Sequence, residues 1–352
     1  MYETLADLPL VVDSVDTVRH ERDTSSGFVR ASTVVELSGE GVTGRGEDVT
    51  YEYDEHDPEC WDALSLDFSG EYTLDSFSER LADTDLFPEP PDREVFENYR
   101  RWGFESAALD LALRQADTTL SERLGRSVDP VDFVVSTRLG DAESDEPPTA
   151  APIQQWLDVD PTLTFKTDPT PDWPDDVIEE LAATGAVRTL DFKGHYEGTE
   201  VDNPADPTFY ERLLAAFPDA VIEDPALTEE TRPLFDGHED RVAWDAPIHG
   251  VDDIEALPFE PSWCNIKPSR FGSVESLLAT IEYCEERDMQ LYGGGQFELD
   301  VGRRHVQLLA SLFYPDGPND VAPPAYNDPE PSADVPPSPL DVREVAAGFD
   351  WE

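Results

Sequence analysis

From Val131 onward the chain repeats one unit, a short apolar segment followed by polar turns and, in several cases, a stretch with helical spacing. The segments are Val131–Ser136, Thr162–Lys166, Val187–Lys193, Ala220–Asp224, Arg241–Asp245, Trp263–Lys267, Gln290–Gly294 and, more weakly, Asp320–Pro323. Their starts fall about 21 to 33 residues apart, the repeat of βα units. Asp175–Thr184, Phe209–Phe217, Val274–Arg287 and Val301–Phe313 are the clearest helices. Strands joined through helices run parallel, because the connection carries the chain back to its starting edge. Eight units predict a closed (β/α) barrel. An open doubly wound sheet is the alternative, disfavoured because no glycine-rich phosphate turn follows the first strand.

The residues before this rhythm read differently. Val29–Leu37 is strand-like, and Gly39, Gly41, Gly44 and Gly46 punctuate the turn-rich stretch after it. Leu74–Leu81 and Tyr99–Leu124 read as helices, the latter with Ala107, Ala108, Leu111 and Ala112 on one face. Pro88, Pro90 and Pro91 break the chain between them. The expected organisation is an α+β domain over residues 1–128, a barrel over 129–326, and an extended Pro- and acid-rich segment over 327–352 that returns to the first domain.

With 79 acidic and 24 basic residues the formal charge is −55. Phosphate contacts need cations, so a nucleic-acid binder of the usual kind and an anionic membrane surface are both excluded as partners. The 39% apolar and 10% aromatic content argues for a folded protein rather than a disordered one. Self-repulsion at this charge is screened in about 1 M salt, where the Debye length is roughly 3 Å, so a salt-adapted (halophilic) protein is expected. Cys60, Cys264 and Cys284 are too few and too scattered for a disulfide framework or a cysteine zinc site. The first ten residues carry no basic signal region, and no apolar run reaches about 18 residues. A cytoplasmic, soluble protein is expected.

The basic residues are 21 Arg and only three Lys, Lys166, Lys193 and Lys267. All three fall at predicted strand ends, where barrels carry their chemistry. The second strand ends in Lys166, the third in Asp191-Phe192-Lys193, the fourth in Glu223-Asp224-Pro225, the fifth in Asp245 and the sixth in Lys267. Carboxylates on three neighbouring strands form an oxygen-donor set for a hard divalent cation such as Mg²⁺. A lysine on either side suits removal of the proton next to a substrate carboxylate, with the resulting enediolate stabilised by the metal. A nearby cation and partial desolvation lower a lysine pKa and make a neutral amine available, which arginine cannot offer. A lone acid at a strand end is most often solvated or salt-bridged, and a lone interior lysine is at least as often structural as catalytic. The joint placement is what favours the functional reading.

These residues resemble the enolase superfamily, most closely its muconate-lactonising and mandelate-racemase-like branch. The resemblance rests on Ile222-Glu223-Asp224-Pro225, on Asn265-Ile266-Lys267-Pro268-Ser269-Arg270-Phe271-Gly272, on Tyr292-Gly293-Gly294-Gly295-Gln296-Phe297-Glu298, and in the first domain on Gly44-Arg45-Gly46-Glu47 and Ala107–Ala112. It implies a (β/α)7β-type barrel with an N-terminal α+β capping domain, a homo-oligomer, and a small-molecule carboxylate substrate. It implies Asp191, Glu223 and Asp245 as Mg²⁺ ligands and Lys166 and Lys267 as acid–base residues. The loop Arg22–Phe28 is where the family closes over its substrate.

Two positions depart from the family pattern. Thr164 stands where the first lysine of a Lys-x-Lys pair is usual, and Lys193 where an asparagine is usual. Lys193 would tune Lys166, bind a substrate carboxylate, or pair with a neighbouring acid. An insertion around His195–Pro207 leaves open a register in which Lys193 is itself the second-strand base. Glu298 is a candidate for shaping the substrate pocket or for bonding Lys267, and Asn319 for substrate contact. His195, His249 and His305 are expected to be structural or solvent-facing. The function expected is a metal-dependent lyase or isomerase. The alternative is a catalytically inactive enolase-like protein that binds a metal or ligand.

Overall fold

The computed structural model describes residues 1–24, 28–64, 66–140, 147–196, 203–328, 331–342 and 347–351. Seven parallel strands form one sheet in sequence order: β6 (Val135–Thr137), β7 (Phe165–Thr167), β8 (Val187–Asp191), β9 (Val221–Glu223), β10 (Val242–Trp244), β11 (Trp263–Ile266) and β12 (Gln290–Gly293). The eighth position is held by two residues. Asn319 bridges Phe133 just before β6, and Asp320 bridges Gly294 just after β12. The Val134 N–H donates to the Asn319 carbonyl and the Asp320 N–H to the Gly293 carbonyl, each at 2.8 Å. The weak Asp320–Pro323 segment is therefore the closing contact, shifted back by one residue and shortened to a bridge.

Side chains alternate along each strand. Val221, Ala243 and Tyr292 pack together inside the ring, with Trp263 against them. Two residues further along the same faces stand Glu223, Asp245, Gly294 and Asn265, so the apolar floor fixes where the polar layer begins. The helices Asp175–Thr184 and Val301–Phe313 have the bounds their periodicity predicts, and Pro207–Ala216 and Val274–Glu285 differ by two residues at an end.

The N-terminal block contains the antiparallel sheet β2 (Ser14–Asp23), β3 (Val29–Gly39) and β4 (Val42–Asp48), with the pair β1 (Pro9–Val12) and β5 (Gly70–Thr73) beside it. The helix Val95–Gln115 lies across β4. Gly44 and Gly46 permit this approach, since a Cβ there would collide with the Ala107 and Gly103 carbonyls. The single predicted helix Tyr99–Leu124 is two. Asp117 takes a left-handed φ of 49°, and Thr119 opens a second helix, Leu120–Leu124, in a capping box with Glu122.

This domain sits on the face of the barrel where the strands end, held by carboxylates at helix starts. Glu47 of β4 is buried and accepts the N–H groups of Leu299 (2.6 Å), Asp300 (3.1 Å) and Gly302 (2.8 Å), at the start of the helix Val301–Phe313. Glu105 accepts the Val274 N–H at the start of Val274–Glu285 (3.4 Å). Backbone N–H groups left unpaired at a helix start favour an anion there. Arg30 of β3 donates to the carbonyls of Gln296 and Phe297 (3.0 and 3.4 Å). The C-terminal segment also meets this domain. The Phe349 N–H donates to Asp110 (2.7 Å), and its ring lies between Trp102 and His305.

Candidate active site

The carboxyl ends of β7 to β11 bring Lys166, Asp191, Glu223, Asp245 and Lys267 into one buried layer. Asp191, Glu223 and Asp245 have no exposed surface, and Lys166 and Lys267 almost none. Register pairs Asp191 with Glu223 on adjacent strands, which resolves the third strand: Asp191 ends it, and Lys193 lies beyond it rather than on the second strand.

Lys166 Nζ stands 2.5 Å from Glu223 Oε1 and 3.1 Å from Asp191 Oδ2. The Tyr292 hydroxyl donates to the other Glu223 oxygen (2.6 Å). Lys267 Nζ lies 2.9 Å and Arg270 Nη2 3.2 Å from Asp245 Oδ2. Asp224, with φ 49°, turns its carboxylate to accept the N–H groups of Asp245 (2.9 Å) and Ala246 (2.8 Å), which fixes the backbone at Asp245. Lys193, with φ 55°, returns its ammonium onto Asp191 Oδ2 while its own N–H donates to Asp191 Oδ1 (3.2 Å). Its ammonium also lies 3.7 Å from Asp168 and over the Tyr196 ring. Gly294 leaves room here for two side chains of the site. A Cβ would come within 2.8 Å of Lys267 Cε and 2.9 Å of Asn265 Oδ1.

The electrostatics differ from the expected neutral amine. Burial alone lowers the pKa of each lysine, but the carboxylates on which they rest outweigh it. Asp191 and Glu223 hold Lys166 well above its ordinary value, and Asp245 does the same for Lys267. Burial raises Asp245, yet Arg270 and Lys267 bring it down to about 2. Burial, then the charge of Asp191, pushes Glu223 well up. Burial also pushes Asp224 to about 7, with Asp245 and Asp191 adding to it.

Two expected substrate residues have other duties. Glu298 does not bond Lys267. Its carboxylate accepts the Gln296 N–H (2.6 Å) and pairs with Arg303 (3.1 Å), because the chain after β12 turns it toward the following helix. Asn319 is saturated. Its oxygen accepts the Gly293 N–H (2.6 Å) and its amide donates to the carbonyls of Asp132, Tyr314 and Gly317, so it closes the barrel. The neighbouring Asp320 faces the site instead, 4.0 Å from Lys166. Tyr292, Arg270 and Asp224 were not assigned roles from sequence. Asp224 and Arg270 lie within three residues of Glu223 and Lys267, Tyr292 lies six before Glu298, and only the closed ring shows what each touches. Residues 25–27 of the expected closing loop and 197–202 of the insertion lie outside the described residues. At the loop's edges, Phe28 packs on Phe297 and Arg22 pairs with Asp328.

Among the described residues, no three acidic, histidine or cysteine side chains already stand where they could hold an ion. The carboxylates are turned onto ammonium groups. Their chemistry nonetheless fits a hard divalent cation, since all are buried oxygen donors on successive strands and Asp245 Oδ1 is buried with no hydrogen-bond partner.

A family model described as "Domain of unknown function (DUF8230) C-terminal domain" matches residues 127–328, and its N-terminal counterpart matches residues 3–123. A dipeptide epimerase from Methylococcus capsulatus, solved with Mg²⁺, superposes with a TM-score of 0.66 at 19% identity over 87% of this chain and 88% of that one. Muconate cycloisomerase from Pseudomonas fluorescens superposes with a TM-score of 0.63 at 17% identity over 89% and 87%. These likenesses show the fold. The o-succinylbenzoate synthase of Bacillus subtilis is 32% identical over 108 residues, 29% of either chain, so the match spans under a third of that relative. No helix among the described residues is long and apolar enough to cross a membrane.

Proposed function

The chain belongs to the DUF8230 family and has the fold of the enolase superfamily, and we propose that it is a divalent-metal-dependent enzyme, a lyase or isomerase, that abstracts the proton α to a substrate carboxylate. The observation that carries this reading is the pair Lys166 and Lys267 flanking Asp191, Glu223 and Asp245 at five successive strand ends. Asp191, Glu223 and Asp245 would hold the ion, Mg²⁺ by the hardness of the donor set. Bound there, it would supply charge stabilisation to the substrate carboxylate and compete with the lysines for their acidic partners.

The chain's own groups do the rest. Lys166 and Lys267, freed from those partners, exchange a proton with the α-carbon from either side of the acid layer. Tyr292 keeps Glu223 oriented through its 2.6 Å bond. Arg270 stays positive and neutralises Asp245 on the side away from the buried oxygen. Asp224 holds the turn that presents Asp245. The burial of the layer excludes water, which strengthens each of these interactions.

The test is deuterium incorporation from D₂O at the α-carbon of a carboxylate panel (acid sugars, dipeptides, succinylbenzoates) with Mg²⁺. Exchange that is lost in Lys166→Ala or Lys267→Ala and in Asp245→Asn supports the reading. Exchange indifferent to these changes overturns it. A second reading, a non-catalytic metal- or ligand-binding relative, is favoured by the ion-paired state of every acid in the layer. It is supported if Mg²⁺ binds and no member of the panel exchanges.

A further inference from the structure

We infer that Lys193 is an internal competitor for the metal site, an ammonium that occupies Asp191 and must swing to Asp168 before a divalent cation can load. The inference rests on the metal-dependent reading above and concerns one residue's control of it.

The acids of the layer are not equally available. Asp245 keeps a buried oxygen with no partner. Asp191 has none to spare. Its Oδ1 accepts the Lys193 N–H at 3.2 Å, and its Oδ2 carries both the Lys193 and Lys166 ammoniums. Lys166 also rests on Glu223 and is enclosed, with 3% of its side chain exposed. Lys193 is the cation built to leave. Its side chain is 17% exposed, and its Nζ already pairs at 3.7 Å with a second carboxylate, Asp168, which Arg138 also faces at 3.7 Å, so a partner for the displaced ammonium is in place. Tyr196 lies under the path, with Nζ 5.4 Å from its ring centre, a surface that tolerates a passing cation. The left-handed backbone of Lys193 is what folds the side chain back onto the acid two residues before it. A non-glycine residue adopts that conformation at a cost and persists there where surrounding structure requires it.

Two positive charges cannot share Asp191 with a divalent ion without repulsion. The ion's affinity is therefore set partly by how readily Lys193 departs. The same competition makes loading reciprocal. Any anion that draws Lys193 outward tightens metal binding, and metal binding frees Lys193 for that anion.

The experiment measures Mn²⁺ affinity of the full-length protein from the free-ion EPR signal, in high KCl, for wild type, Lys193→Gln and Lys193→Arg. Lys193→Gln is expected to bind Mn²⁺ at least about tenfold more tightly than wild type, because a like charge next to the ion is gone, while Lys193→Arg stays near wild type. Equal or weaker binding by Lys193→Gln overturns the inference and leaves the metal site standing. No Mn²⁺ binding by any of the three overturns the metal-dependent reading itself. A second measurement needs no variant. With the lysines reductively methylated by ¹³C-formaldehyde, saturating Mg²⁺ should move the Lys193 resonance as it exchanges Asp191 for Asp168. A resonance that stays put at saturation overturns the inference.

Discussion

Replacing Glu47 with glutamine tests how the capping domain is fastened. One carboxylate oxygen takes Ser32 Oγ (2.6 Å) and the Leu299 N–H, and the other takes the Asp300 and Gly302 N–H groups. A glutamine oxygen can keep the second pair. Its NH₂ then faces Ser32, whose hydroxyl can turn to accept, and the Leu299 N–H, which cannot. One buried backbone donor is orphaned, at about 1–3 kcal/mol. Loss of the anion at the helix start adds roughly 0.3–1 kcal/mol. Against this, burial raises the Glu47 pKa, so removing the charge recovers part of a desolvation cost. The net expectation is a loss of about 1–3 kcal/mol, which in a chain of this size lowers Tm by roughly 1–4 °C. Thermal unfolding followed by circular dichroism in high KCl measures it. Hydrogen exchange locates it, with Leu299, Asp300 and Gly302 exchanging faster than in wild type. An unchanged or higher Tm, with unchanged exchange at those three amides, would refute the argument that this carboxylate fastens the two domains.

Two further expectations follow from buried and surface charge. His305 is fully buried, both ring nitrogens lack hydrogen-bond partners, and burial, then Arg304 and Arg114, holds its pKa well below 6.5. The unfolded chain therefore takes up this proton first as pH falls. His305 should contribute a loss of up to about 1.4 kcal/mol per pH unit below pH 6.5, and none above it. In His305→Phe, which keeps the stack on Phe349, that part of the acid slope should vanish, and an identical slope in both proteins would count against it. The charge of −55 predicts that moving from about 2 M to 0.1 M KCl, where the Debye length lengthens to roughly 10 Å, unfolds the protein. A full circular dichroism signal and unchanged Tm in the dilute buffer would sink that idea.

The barrel was legible because its strands are buried on both faces and read as apolar runs, each ended by the polar residue that enters the site. Ile222-Glu223 and Ile266-Lys267 are such ends. The capping sheet was less so. β2 exposes most of its length, and Ser14–Asp23 shows no apolar alternation to announce a strand. The break after Gln115 depends on a single left-handed residue, Asp117, inside an otherwise helical pattern. In the site, residue types and order were visible but partners were not. Tyr292 reads as core until the ring closes and sets it against Glu223. The direction of the lysine shifts was hidden for the same reason. Burial and ion pairing oppose each other, and only distances say which prevails.

Strand pairing ordinarily rests on backbone groups that every residue possesses, so it survives most changes of letter. At the seam between β6 and β12 the backbone pairing is only two residues long, and the side-chain amide of Asn319 reinforces it by binding one strand's end and three neighbouring carbonyls. Aspartate there would keep the acceptor and lose both donors. Closure of the ring, elsewhere anonymous to the gene, here leans on the identity of one codon.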